Sequence, residues 1–159
     1  MKLVRQILPI IAIIAIVAVA TLWIRSSRED SRHIVSADQI RSMQADTTES
    51  DGFVLIDVRD ERESSVSILP GAITLDEFEG SDEYRGKTAI VYCTVGVRSN
   101  TYANRLREQG WEAYNYKGGI LDWCHQGLPL TTRDGRPTDR VHTYSSWYSV
   151  PAGYLAVAN

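Results

Sequence analysis

Two short, unbroken apolar runs constrain this chain more than anything else in it. Phe53-Val-Leu-Ile-Asp-Val58 and Thr88-Ala-Ile-Val-Tyr92 lack the polar–apolar alternation of a half-wetted strand. Strands covered on both faces lose that alternation, so the pair points to a parallel sheet between helical layers. The flanking segments agree. Ser36 and Gln39 make a capping-box signature for a helix towards Gln44. Between Ser99 and Gln109, Tyr102, Ala103 and Leu106 share one helical face, and Gly110 ends the helix. Trp111 to Tyr116 predicts a further strand, Gly118-Gly119 a tight turn, and Ile120 to Gln126 a short helix stopped by Gly127 and Pro129. Strands alternating with helices predict a layered α/β domain.

Ahead of the domain, Ile7 to Ile24 is a run of apolar or weakly polar residues bracketed by Arg5 and Arg25. As a helix it would reach roughly 27 Å, enough for the hydrocarbon core of a membrane. The expected organisation is a basic tail over 1–6, a transmembrane anchor over 7–24, a linker over 25–33, the domain over 34–131 and an extension over 132–159. A cleaved signal peptide with Ala18-Val19-Ala20 as its small-residue site is the rival. The run continues through Leu22, Trp23 and Ile24, which favours retention. A short basic tail usually stays in the cytoplasm, so a single-pass membrane protein with its domain on the outer, periplasmic or extracytoplasmic, side is expected. All 20 acidic residues follow the anchor, and the net charge of −3 argues against a nucleic-acid partner.

The chemistry centres on Cys93, which directly follows the run ending at Tyr92. Ligands of open α/β sheets bind beyond the carboxyl ends of the strands, and Asp57 and Arg59 should reach the same edge. After Cys93 come Thr94, Val95, Gly96, Val97 and Arg98, with a helix opening near Ser99. A strand, a short loop and a helix N-terminus aim several N–H groups at one spot and lower a thiol's pKa. Cys93 then becomes a thiolate near neutral pH and a nucleophile. Most free cysteines are small buried hydrophobes, and that reading competes.

Leu55-Ile-Asp57-Val-Arg59, Leu69-Pro-Gly-Ala-Ile73, Val91-Tyr-Cys93-Thr-Val-Gly-Val-Arg98-Ser99 and Lys117-Gly-Gly-Ile-Leu-Asp-Trp123 together resemble the rhodanese-like (sulfurtransferase) family. The resemblance covers about residues 34 to 131. It implies a three-layer α/β fold around a parallel sheet of about five strands, and Cys93 as carrier of a persulfide. It also implies a small sulfur-donor anion or persulfide and a thiol acceptor, proteins included, with no cofactor and no metal. Cys93 through Arg98 counts six residues, the length associated with sulfurtransferases; the related phosphatases carry one more. Where such families often show a histidine, Ile68 stands here. Arg98 is the loop's only charge, so a persulfide donor is expected to serve at least as well as thiosulfate.

Asp57 and Arg59 read more readily as a structural ion pair or as support for the loop than as groups touching substrate. Arg98 suits either a donor's anionic end or a pair with a carboxylate. Cys124 reads as packing, with a resolving thiol for Cys93 as the alternative. The aromatic extension, with His142, Tyr144, Trp147, Tyr148 and Tyr154, is too apolar for a free tail and should pack on the domain, with a place at the pocket mouth as one option. A binding or sulfur-sensing module without turnover is the alternative function.

Overall fold

The computed structural model describes residues 13–21, 32–46 and 52–157. The chain divides after His33, and residues 34–159 form the larger unit.

In the first unit, residues 13–21 are helical. At ~1.5 Å per residue that stretch reaches about 14 Å, under half of the roughly 30 Å of a hydrocarbon core. Residues 7–12 and 22–24 of the expected anchor lie outside the described residues, as do the tail 1–6 and the linker up to residue 31. Among the described residues no helix is long and apolar enough to cross a membrane. The expected transmembrane helix over 7–24 is therefore corrected, and with it the membrane partner and the outer-side location inferred from it.

The larger unit is built on five parallel strands in the order β1-β5-β4-β2-β3. They are β1 (Ile34–Val35), β2 (Phe53–Asp57), β3 (Ile73–Thr74), β4 (Thr88–Tyr92) and β5 (Ala113–Tyr116). Central β2 and β4 are the two apolar runs, and Asp57 lies opposite Tyr92. Alternate residues of these strands enter two different cores. On one face Leu55, Ile90 and Tyr92 pack with Ile40 of α1 (Ala37–Ala45) and with Ile120, Trp123 and Cys124 of α5 (Gly119–His125). On the other, Val54, Ile56, Ala89 and Val91 pack with Phe78 of α3 (Leu75–Glu79) and with Ala103 and Leu106 of α4 (Val97–Glu108). That is the three-layer α/β arrangement, and it explains why the runs carry no polar face.

Ser36 and Gln39 cap α1 reciprocally, as their spacing predicts. Strand β5 starts two residues later than the sequence suggests, because Trp111 turns aside to pack on Phe78, 5.1 Å between ring centroids. Asp60 and Glu63 form a second capping box on the one-turn helix α2 (Glu61–Ser64). Beyond the sheet, β6 (Leu130–Thr131) pairs with β7 (Pro137–Thr138), and β8 (Arg140–His142) pairs in parallel with β9 (Leu155–Val157). Val141 is buried in the α1/α5 core, Val150 and Tyr154 pack against it, and Tyr154 donates to the carbonyl of Leu128 at 2.6 Å.

Under the carboxyl edge of the sheet lies a buried ion pair. Arg59 Nη2 meets Asp57 Oδ2 at 2.6 Å with both side chains fully covered. Arg59 also donates to the Ser67 carbonyl at 2.6 Å, and Tyr92 Oη donates to Asp57 at 2.8 Å while accepting from Leu69 N–H. Burial and the neighbouring Asp57 charge push the Tyr92 hydroxyl well above its ordinary pKa, so it remains a donor. Removing one charge of such a pair strands the other in a dry interior. Asp57→Asn is expected to lower the unfolding free energy by about 3–5 kcal/mol, and Tyr92→Phe by about 1–2 kcal/mol. Urea unfolding of the two variants checks this order; an equal, small loss in both would show that the pair contributes little.

Candidate active site

Cys93 leaves the end of the central strand and is almost wholly buried. The loop after it is short because Gly96, at φ 84°, turns the chain straight into α4. The helix therefore begins at Val97 and takes in Arg98, two residues ahead of the sequence expectation. No side chain caps α4. Instead Gly96 N–H donates to Cys93 Sγ at 3.1 Å, and the sulfur stands at the positive end of a twelve-residue helix.

Burial alone would raise the thiol's pKa. Hydrogen bonds from the Ser99 hydroxyl and from the N–H groups of Ser99, Val95 and Gly96 outweigh it, and the thiol lies below its ordinary value. The Ser99 hydroxyl carries one proton and has two acceptors in reach, Cys93 Sγ at 3.5 Å and Asn115 Oδ1 at 2.7 Å. Asn115 also donates to the Gly96 carbonyl at 3.2 Å, so β5 holds both the turn and the hydroxyl in place.

The loop's orientation is set from α5. Ile120 N–H donates to the Cys93 carbonyl at 2.9 Å and Leu121 N–H to the Thr94 carbonyl at 3.3 Å. Gly119 permits that approach, since a Cβ there would lie 2.5 Å from both carbonyl oxygens. Gly96 is constrained in the same way, because a Cβ would fall 2.0 Å from the Lys117 carbonyl oxygen.

Arg98 is paired with a carboxylate. Its Nη1 and Nη2 donate to Glu63 at 2.6 and 2.8 Å, and Nη2 also reaches Thr94 Oγ1 at 2.9 Å. Thr94 in turn donates to Glu63 at 2.7 Å. Burial opposes the Glu63 charge, yet the Arg98 and Thr94 hydrogen bonds hold its carboxyl below the usual range. The Glu63 bonds hold the Arg98 proton more firmly still. Tyr144 lies over the guanidinium, 5.1 Å from its carbon to the ring centroid.

Cys93, Thr94, Val95, Gly96, Arg98 and Ser99 thus come together as their spacing suggests, while Val97 points outward, 70% exposed. Asp57 and Arg59 lie at the same edge but bond to Tyr92 and Ser67 rather than to the sulfur. Cys124 is buried in the α1/α5 core, and burial pushes its thiol up to about 12. Ile68, in the place of the histidine, is buried too and pairs its backbone with Thr131. Glu63 and Asn115 carry no site signal in the sequence, and Tyr144 stands out only as part of the aromatic extension for which the pocket mouth is one option. The Asp60-x-x-Glu63 spacing does announce a helix start, but nothing local announces bonds to residues 31 and 35 positions away.

The rhodanese-like domain model matches residues 29–126. The chain belongs to the rhodanese-like domain family. Among its curated relatives, a tRNA sulfurtransferase from Desulfurococcus amylolyticus is 37% identical over 78 residues, 49% of this chain and only 16% of that protein. A thiosulfate sulfurtransferase GlpE from Actinobacillus succinogenes is 34% identical over 96 residues, 57% of this chain and 86% of the relative. A crystal structure of a rhodanese-like domain protein from Staphylococcus aureus superposes with a TM-score of 0.53 at 20% identity, over 63% of this chain and 97% of that one. That likeness concerns the rhodanese-like fold, with its five-stranded parallel sheet.

Within this rhodanese-like domain, Ser99→Ala removes one donor to the sulfur together with the Asn115 anchor. Fewer donors favour the neutral thiol, so the Cys93 pKa should rise. The thiolate is the reactive form, so the pH profile of Cys93 alkylation should move to higher pH and the rate at pH 7 should fall. A midpoint that stays in place or moves down would show that the hydroxyl does not support the thiolate.

Proposed function

We propose that this chain is a sulfurtransferase that carries a sulfane sulfur on Cys93. The observation that carries the reading is the cradle: a buried sulfur at a helix N-terminus with loop N–H groups aimed at it. The names of the curated sulfurtransferase relatives support it at modest identity.

In the first half-reaction the Cys93 thiolate attacks the outer sulfur of the donor. With a persulfide R–S–SH, the bond to the transferred sulfur forms on Cys93 and a thiolate RS⁻ leaves. With thiosulfate, the same bond forms and sulfite leaves. In the second half-reaction an acceptor thiolate attacks the terminal sulfur of the Cys93 persulfide. The S–S bond to Cys93 breaks and the Cys93 thiolate returns, so no external oxidant or reductant is consumed. The N–H groups that stabilise the thiolate are placed to stabilise negative charge on the terminal sulfur as well, which is preorganised electrostatic catalysis. Glu63 and Thr94 keep Arg98 fixed beside the loop; they act on its position rather than on the donor.

Intact mass of the full chain, before and after incubation with thiosulfate or glutathione persulfide, tests this reading. The expected result is a gain of one sulfur, reversed by a reducing thiol and absent in Cys93→Ser. No gain with either donor, on folded protein with a free Cys93, would favour a binding or sulfur-sensing module.

A further inference from the structure

The extension after β7 reaches the site at Tyr144. Strands β8 and β9 hold it in place, with Arg140 beside Leu155 and His142 beside Val157, and Val141 locks it into the core. Thr143 N–H continues the pairing to the Val157 carbonyl at 3.0 Å. The backbone then turns sharply. Tyr144 sits at φ 65°, the one non-glycine residue with positive φ among the described residues. A bulky side chain adopts that conformation only when its surroundings impose it, and such outliers cluster at functional sites. Here the constraint is visible: Tyr144 N–H donates to Nδ1 of the buried His142 at 3.0 Å.

The strained turn lays the Tyr144 ring over the guanidinium of Arg98. The other edge of that guanidinium is already committed to Glu63 and Thr94. The only charge in the Cys93–Arg98 loop is therefore paired with a carboxylate, lies within reach of the Cys93 sulfur, and is covered on one face by an aromatic ring. The ring stays 61% exposed, and Val97 beside Arg98 is open as well. An entering molecule meets Tyr144 and Val97 beside a guanidinium that is paired with Glu63 and only partly exposed.

Resting on the sulfurtransferase reading and deepening it, we propose that Tyr144 is a specificity-determining residue. By covering one face of an Arg98 that Glu63 already pairs, it weakens the guanidinium as a receptor for a second, entering anion. The site then favours donors whose reacting end carries little charge, such as a protonated persulfide, over compact dianions such as thiosulfate. A cation–π contact stabilises the arrangement on the ring-covered face of the guanidinium.

The test separates the charge of the mouth from turnover. Cys93 in the full chain is alkylated at low ionic strength with neutral iodoacetamide and with anionic iodoacetate, with Cys93→Ser as the blank. In Tyr144→Ala the iodoacetate-to-iodoacetamide rate ratio is expected to rise roughly threefold or more, the size of one charge contact near a wet surface. Tyr144→Phe, which keeps the ring, is expected to leave the ratio unchanged. Glu63→Gln is expected to raise it further; should that buried variant fail to fold, the exposed Tyr144 pair still decides. Sulfur uptake with an unchanged ratio in Tyr144→Ala would overturn the role of Tyr144 alone. No sulfur uptake by the wild-type chain would overturn the sulfurtransferase reading and this role with it.

Discussion

The site depends on the direction of two carbonyls. A peptide unit carries its C=O and N–H on opposite sides, so fixing one fixes the other. With the Thr94 carbonyl bonded to Leu121, the Val95 N–H of the same peptide faces the sulfur. The Cys93 carbonyl bonded to Ile120 fixes the start of the turn that brings in Gly96 N–H. The interaction works only at close range, and the absent side chains of Gly119 and Gly96 make that range possible. Two loops leaving neighbouring strands at the same edge of the sheet therefore template each other. Parallel pairing of β4 with β5, Tyr92 opposite Tyr116, brings them to that edge together.

Charge at this edge is organised in pairs. Asp57 and Arg59 are sealed beneath the sheet edge, and Glu63 holds Arg98 above it. The two pairs are coupled, since the Arg59 charge also favours the ionised form of Glu63. Desolvating Asp57, Arg59 and Glu63 is costly unless each finds a partner of opposite sign. The arrangement meets that condition, and the thiol's environment combines oriented N–H groups with an Arg98 charge that Glu63 already pairs. Oriented dipoles stabilise an anion without requiring the anion to be large or doubly charged.

The parts legible in the sequence are those that leave a local signature. Burial on both faces erased the alternation in Phe53–Val58 and Thr88–Tyr92, and so announced the parallel sheet. Ser36 and Gln39 announced α1 through their spacing, and Cys93 announced itself by its place at a strand end. Strand β3 has two residues, too few for any periodicity, and stayed hidden. The start of α4 lies two residues ahead of its sequence signal because a left-handed Gly96 with no side-chain cap resembles a loop. Glu63 reads locally as a helix-capping carboxylate, and it does accept from Asp60 N–H; its bonds to Thr94 and Arg98 arise from the fold. Tyr144 is harder still, because its position depends on β8 pairing with β9 and on a buried histidine. The apolar run at the N-terminus misled in the opposite direction. Composition suggested a span, and no described helix has the length for one.

The two cysteines provide an internal comparison. Both are buried and both are free thiols. Cys124 lies among apolar side chains, where burial acts almost unopposed and its thiol is pushed up to about 12. Cys93 is scarcely more exposed, yet its thiol falls below the ordinary value. Depth of burial therefore does not separate the reactive cysteine from the inert one. What separates them is the set of donors facing the sulfur, and that set exists because a strand end, a left-handed glycine and a helix start follow one another within four residues of Cys93. Burial then takes on a second role. Once donors offset its cost to the thiolate, a dry pocket strengthens each of their hydrogen bonds and shields the charged sulfur from water. The same exclusion of water that silences Cys124 thus sharpens Cys93.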